Sequence, residues 1–344
     1  KSVIKSTGFL GTSLIKKVFI KIDEMKTDLH KALNQLSITI CSIDTFKYFL
    51  ANSEKLFLSV NKQDKPAFYE SYYEIISNFY INYPQIHQTF VVSGLDEAST
   101  LFISLAKQKI IEPQILPVLS SLLPLTYSNN KLSNDKTKKT IQPIFKSIQG
   151  FGSKKDPTIQ RHYIEAFLEL IEGSFYSNNS EDEPFISINK FIEKNIKELE
   201  NILLTNLSDS HPDKKLLSLV TRYASYDFIF NANAKNADRP RPIDSIIEKA
   251  VICQSWSYWE RAIEFFIYIF NRWSQHPRYK KIIESFVSKS EKIFRITLDK
   301  TFQICKSCNG IINRVLDDDS CADFVQSLTQ LFEYSTINFS IKLL

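Results

Sequence analysis

Residues 64–79 read DKPAFYESYYEIISNF. Phe68, Tyr72, Ile75, Ile76 and Phe79 recur there at three- and four-residue steps, which puts five bulky apolar groups on one face of an α-helix. Asp64 stands two residues before Pro66, the order expected of an N-cap followed by a first-turn proline. The same period runs through the segments on either side. Phe46, Phe49, Leu50, Phe57 and Val60 form a stripe that Ser53 completes. Ile159, Tyr163, Ala166, Phe167, Leu170 and Ile171 form another, after Asp156-Pro157 and before Gly173, where that helix is expected to end. Trp259, Ile263, Phe266, Phe270 and Trp273 form a fourth, and residues 262–270 are apolar on nearly every side. No segment shows the sustained two-residue alternation of half-buried strands.

Polar breaks punctuate these stripes at 59–64, 92–94, 127–135, 150–153, 176–184, 208–212 and 239–242. The intervals predict helices of about 12–25 residues, roughly a dozen in all, and pairing them gives repeats of about 40–50 residues. The expected fold is therefore all-α: an α-solenoid of stacked antiparallel helical hairpins of the HEAT/ARM kind. The chain has 344 residues, beyond the size at which one compact core stops growing, and residues 1–344 are read as a single repeat array. It opens at Lys1 without an initiator methionine and reads as a module of a larger protein. Only seven glycines occur, too few for phosphate-cradling loops or β-barrels, while 26 Phe and 15 Tyr supply core material.

The net charge of +5 is unevenly spread. Residues 131–161 hold eight Lys/Arg against two Asp, and 272–295 hold seven against two Glu. Residues 165–209 hold ten acids against three Lys and read as an acidic face. Lys131, Lys136, Lys138, Lys139, Lys154 and Lys155, with Arg272, Arg278, Lys280 and Lys281, are the candidate partner-binding residues. Clustered charge of this kind steers acidic partners, although solvated helix faces look the same in a sequence.

Catalytic motifs are absent. There is no Walker loop, dinucleotide fingerprint, Gly-x-Ser-x-Gly elbow or His-Glu-x-x-His pair. His30, His87, His162, His211 and His276 lie far apart, and two of them precede prolines, where a turn role suffices. Cys305 and Cys308 have metal-ligand spacing, yet only Cys321 follows and no histidine does, so small core cysteines are expected and no metal or cofactor. Five scattered cysteines fit a reducing compartment, cytosol or nucleus. Neither end reads as a signal peptide, and the apolar run 262–270 is too short to span a bilayer.

The aromatic paired helices of 66–126, and Ile141-Gln142-Pro143-Ile144-Phe145 followed by Asp156-Pro157-Thr158-Ile159-Gln160, resemble the helix–turn–helix cadence of HEAT and armadillo-like repeats, within them the importin-β superfamily of nuclear transport receptors. That resemblance implies a non-enzymatic interaction module or scaffold, with other proteins, through acidic or extended segments, as partners. The tryptophan- and acid-rich amino-terminal signature of Ran-binding receptors is missing, and no functional residue carries over. Two other readings stand beside it. One is a HEAT-like nucleic-acid-associated protein using its basic clusters, although aromatic residues do not interleave with them. The other is a helical GTPase-regulating domain, with Arg239 and Arg241 the only loop arginines suited to that role.

Overall fold

The computed structural model describes residues 42–107, 111–126, 134–149, 156–177, 183–207 and 214–231, with the single positions 242, 245, 246, 261 and 265. Among the described residues the chain forms nine α-helices and two short 3-10 turns, with no strand. In chain order these are α1 (Ile43–Ser59), α2 (Lys65–Asn82), α3 (Pro84–Ser93), α4 (Asp96–Ala106), a 3-10 turn (Pro113–Ile115), α5 (Leu116–Leu122), a second 3-10 turn (Leu123–Thr126), α6 (Asn134–Ile148), α7 (Pro157–Tyr176), α8 (Phe185–Leu207) and α9 (Lys214–Asn231). By contact the chain divides into two compact units, Lys1–Leu199 and Glu200–Leu344, and the boundary falls inside α8.

In the first unit, α1 and α2 pair as an antiparallel hairpin through their aromatic stripes. Phe46 stacks on Phe79 at 4.0 Å and Phe49 on Tyr72 at 4.8 Å, while Phe57 meets Phe68 edge-on at 5.0 Å. Residue numbers rise along one helix as they fall along the other, as antiparallel packing requires. Ser53, the polar member of the first stripe, is fully buried and satisfied: it accepts from the Tyr72 hydroxyl at 2.7 Å and donates to the Phe49 carbonyl at 2.6 Å. A buried hydroxyl without such partners would cost about 1–3 kcal/mol. Ser42 closes the start of α1 with a capping box to Thr45. Asp64 occupies the expected N-cap of α2, but its side chain makes no capping hydrogen bond, and Pro66 takes the first turn.

Helix α5 and its flanking 3-10 turns are the centre of this unit. Ile115 to Thr126 are all buried, and the segment packs against α2, α4, α6 and, most extensively, α7. Ser121 Oγ donates to the Val118 carbonyl, and the Ser121 carbonyl accepts from the Tyr80 hydroxyl, whereas the buried Ser120 Oγ has no hydrogen-bond partner among the described residues. Helices shorter than the spacing predicted appear here, because Pro84 and Pro113 each break the chain within a stretch that reads as continuous, while Gly94 falls at the expected break of 92–94. Gly94 caps α3 with φ 72°, a conformation open to glycine and strained for other residues.

Gly173 departs from its expected role. It does not end α7, which runs on to Tyr176; it lies inside the helix where Pro124 presses against it. A β-carbon there would sit 2.1 Å from Pro124 Cγ, so glycine is present to let α7 approach the central segment. Asp156 caps α7 as expected, accepting from the amides of Thr158 and Ile159. The stripe of α7 is buried from Tyr163 to Ile171, with Ile159 half-buried at the first turn.

In the second unit the described residues are the end of α8, α9 and the single positions above. Helix α9 is buried around nearly its whole circumference from Leu216 to Asp227. Arg222 Nε donates to the Tyr226 hydroxyl at 2.7 Å one turn on, and burial pushes the Tyr223 hydroxyl well above its ordinary range, reinforced by Asp227. Of the fourth aromatic stripe, Trp259, Ile263, Phe266, Phe270 and Trp273 lie outside the described residues; Arg261 and Phe265 nearby are helical and buried. No described helix is by itself long and apolar enough to cross a membrane.

Candidate functional site: a basic groove between α6 and α8

Helix α6 is amphipathic. Ile141, Ile144, Phe145 and Ile148 face inward, leaving Lys139, Gln142, Pro143, Lys146 and Gln149 exposed at steps of three or four residues. Helix α8 does the same: Phe185, Ile188, Phe191, Ile192 and Leu199 are buried, and Lys190 and Lys194 are exposed four residues apart. Phe145 and Phe191 stack on each other at 4.5 Å and 21°, and Phe167 of α7 lies 5.3 Å from Phe191. This aromatic contact joins the two helices, and an open groove of about 920 Å³ lies between residues of both.

Lys139, Lys146, Lys190 and Lys194 line the groove with Gln142, Gln149 and Ser187, and its floor is Pro143 with the edges of Phe145 and Phe191. No carboxylate lines it. None of the four lysines has an ion-pair partner among the described residues. Four exposed positive charges on two helices, around phenyl rings that are each 5 % exposed, suit an anionic ligand. Pro143 sits inside α6 and, lacking an N–H, withholds the bond that would otherwise reach the Lys139 carbonyl.

Of the candidate residues, Lys139 lines this groove. Lys136 and Lys138 lie on the first turns of α6, where only the backbone is described. Lys131, Lys154, Lys155, Arg272, Arg278, Lys280 and Lys281 lie outside the described residues, as do Cys305, Cys308, Cys321, Arg239 and Arg241. Arg161, counted in the first basic stretch, does not contribute free charge: it is half-buried, 3.6 Å from Glu70 and 3.5 Å from Glu165. Lys190, Lys194 and Ser187 were not anticipated. They fall inside the stretch read as an acidic face, of whose acids Glu169, Glu172, Glu183 and Glu200 are buried while Glu193 and Glu198 are exposed. The signal that would have found the lysines is their four-residue spacing on the polar side of the Phe185–Phe191 stripe.

The buried carboxylates form a second polar centre, inside the first unit. Glu169 accepts from the Tyr73 hydroxyl at 2.8 Å, and Glu172 lies 3.5 Å from His87 Nδ1. The His87 ring stacks on Tyr80 at 3.6 Å and meets Tyr176 edge-on at 5.1 Å. His162 lies with Nε2 3.1 Å from Glu70 and Nδ1 3.3 Å from Glu165, tying α7 to α2. Both histidines thus join helices, and both contacts lie in the packed interior, away from the groove. Among the described residues no group of three His, Cys, Asp or Glu side chains is placed to hold a metal ion. Compared with models of known families, with curated proteins and with solved structures, the chain matches none.

Proposed function

We propose that this chain is a non-catalytic protein-interaction module, built of helical hairpins stacked as a solenoid, that captures an acidic segment of a partner protein along the groove between α6 and α8. The observation that carries the reading is the groove itself: four exposed lysines on two helices, with no ion-pair partner and no lining carboxylate among the described residues. The antiparallel α1–α2 pair supports the hairpin as the building unit. The two described histidines are taken up in tying helices together, which leaves them in structural roles.

Such capture is driven by charge and screened by salt, since the lysines are in water and the Debye length falls to about 8 Å at physiological ionic strength. Titrating the full chain with a fluorescent polyglutamate peptide tests it. Lys139→Glu/Lys146→Glu/Lys190→Glu/Lys194→Glu weakens binding by at least about tenfold while the far-UV helical signal stays the same. Wild-type affinity falls steeply with added salt. Equal affinity of wild type and variant, or affinity indifferent to salt, overturns the reading. The groove offers a nucleic acid no stacking platform, since Phe145 and Phe191 stack on each other with little ring face exposed, so such a ligand would be held by its phosphates alone.

A further inference from the structure

We infer that the groove's occupant is an amphipathic acidic helix about two turns long at the contact, lying between α6 and α8 with its apolar stripe on the floor and carboxylates on both flanks. This rests on the acidic-capture reading above and adds the conformation and pattern of the captured segment.

Backbone chemistry is the first argument. Both walls are α-helices, whose N–H and C=O groups are paired along the helix apart from the Lys139 carbonyl, which Pro143 leaves without its helical bond. Among the described residues the groove offers no strand edge, so an extended segment entering it finds only side chains, the four lysines as donors and Gln142, Gln149 and Ser187, and no backbone ladder to receive its own backbone groups. Leaving backbone amides and carbonyls unpaired against a closed wall is unfavourable. A helix arrives with those groups satisfied, which is why amphipathic helices dock in grooves between helices and extended peptides dock on sheet edges.

Size is the second. A helix about 10 Å across occupies about 12 Å of length in 920 Å³, or about eight residues at 1.5 Å each. The walls have that extent: Lys139 to Gln149 spans about 15 Å along α6, and Ser187 to Lys194 about 10 Å along α8.

Charge pattern is the third. Lys190 and Lys194 repeat at one helical turn, and Lys139 and Lys146 at two. A partner helix with acids four and seven residues apart carries its charges at the same rise on either flank of an apolar stripe. The exposed Pro143 and the methylene stems of the lysines can supply apolar contact for that stripe while the ammonium groups reach the flanking carboxylates.

The test uses the full chain and synthetic probes. The first is a peptide of about 14 residues, the length at which a helix becomes marginally stable alone, with a leucine stripe flanked by glutamates. The second is the same composition with the pattern scrambled. The third is the patterned peptide with two central prolines, and the fourth a thymidine oligonucleotide. The patterned peptide binds at least about tenfold tighter than the scrambled and proline-broken ones and gains helical ellipticity on binding. Lys190→Glu/Lys194→Glu loses that affinity, and a peptide with lysines replacing glutamates on one flank prefers the variant to the wild type.

If the proline-broken or scrambled peptide binds as tightly, still through the lysines, the occupant is not an ordered helix; the helical inference falls while acidic capture stands. If no peptide binds in a lysine-dependent way, or the oligonucleotide binds tighter than every peptide, both fall.

Discussion

Gly173 shows how one residue can be read correctly for its chemistry and wrongly for its place. Glycine in a helical pattern ordinarily marks an end, since it loses about 1 kcal/mol against alanine in a helix interior. Here it sits mid-helix, because the ring of Pro124 occupies the space where a side chain would be. A single-sequence reading has no access to that tertiary neighbour. Two terms of opposite sign meet in Gly173→Ala: a propensity gain of about 1 kcal/mol and an overlap with a rigid ring at 2.1 Å. Overpacking of this kind costs about 1–3 kcal/mol, and proline has no rotamer with which to retreat, so the clash wins. Urea denaturation of Gly173→Ala should show a net loss of stability; a gain would mean that α7 moves off the central segment without penalty. Ser53 is the opposite case. Its position in the stripe was legible from spacing, and its tolerance inside the core comes from Tyr72, nineteen residues away.

At the scale of the element, the helices legible in the sequence were those with wide apolar stripes and a marked start, such as α1, α2 and α7. Of helix α8 only its start was legible, as the break at 176–184; its stripe and its surface were not. A charge count over 165–209 averages four buried acids with exposed lysines and so overstates the negative charge that the described surface carries. Helix α2 carries a second consequence. Burial pushes the Tyr72 hydroxyl far above the ordinary tyrosine value of 10.0, and its hydrogen bond with Ser53 offsets only part of this. Burial does the same to Tyr80, reinforced by Glu169, Tyr72 and Glu172. The folded helix therefore keeps protons that the unfolded chain releases above about pH 10, and stability falls as pH rises past that value, being fully present below it. Alkaline titration followed at the phenolate absorption band should show these tyrosines ionising only together with loss of helix. Full ionisation with the helical signal intact would place them in contact with water.

For the whole molecule, the division into two units at Leu199/Glu200 makes α8 a shared member. Trp256, Trp259 and Trp273 are all three tryptophans of the chain and all belong by position to the second unit, so their fluorescence follows that unit alone. Helix formation is cooperative along a continuous segment, and α8 runs unbroken through the boundary. Tryptophan fluorescence and far-UV ellipticity should therefore trace one urea transition. In Glu198→Pro, an exposed site, proline removes a helical bond at a cost of about 3 kcal/mol and the two traces should part. Separate transitions in the unaltered chain, or a single one in the variant, would show that α8 is not what couples the units. The same helix governs how the molecule can be dissected. A cut made at the boundary passes through paired backbone, leaving four carbonyls bare on one piece and four amides bare on the other. Pieces prepared for separate study should each retain α8 whole, one running through Leu207 and the other beginning at Phe185, so that the 23 residues of that helix are present twice.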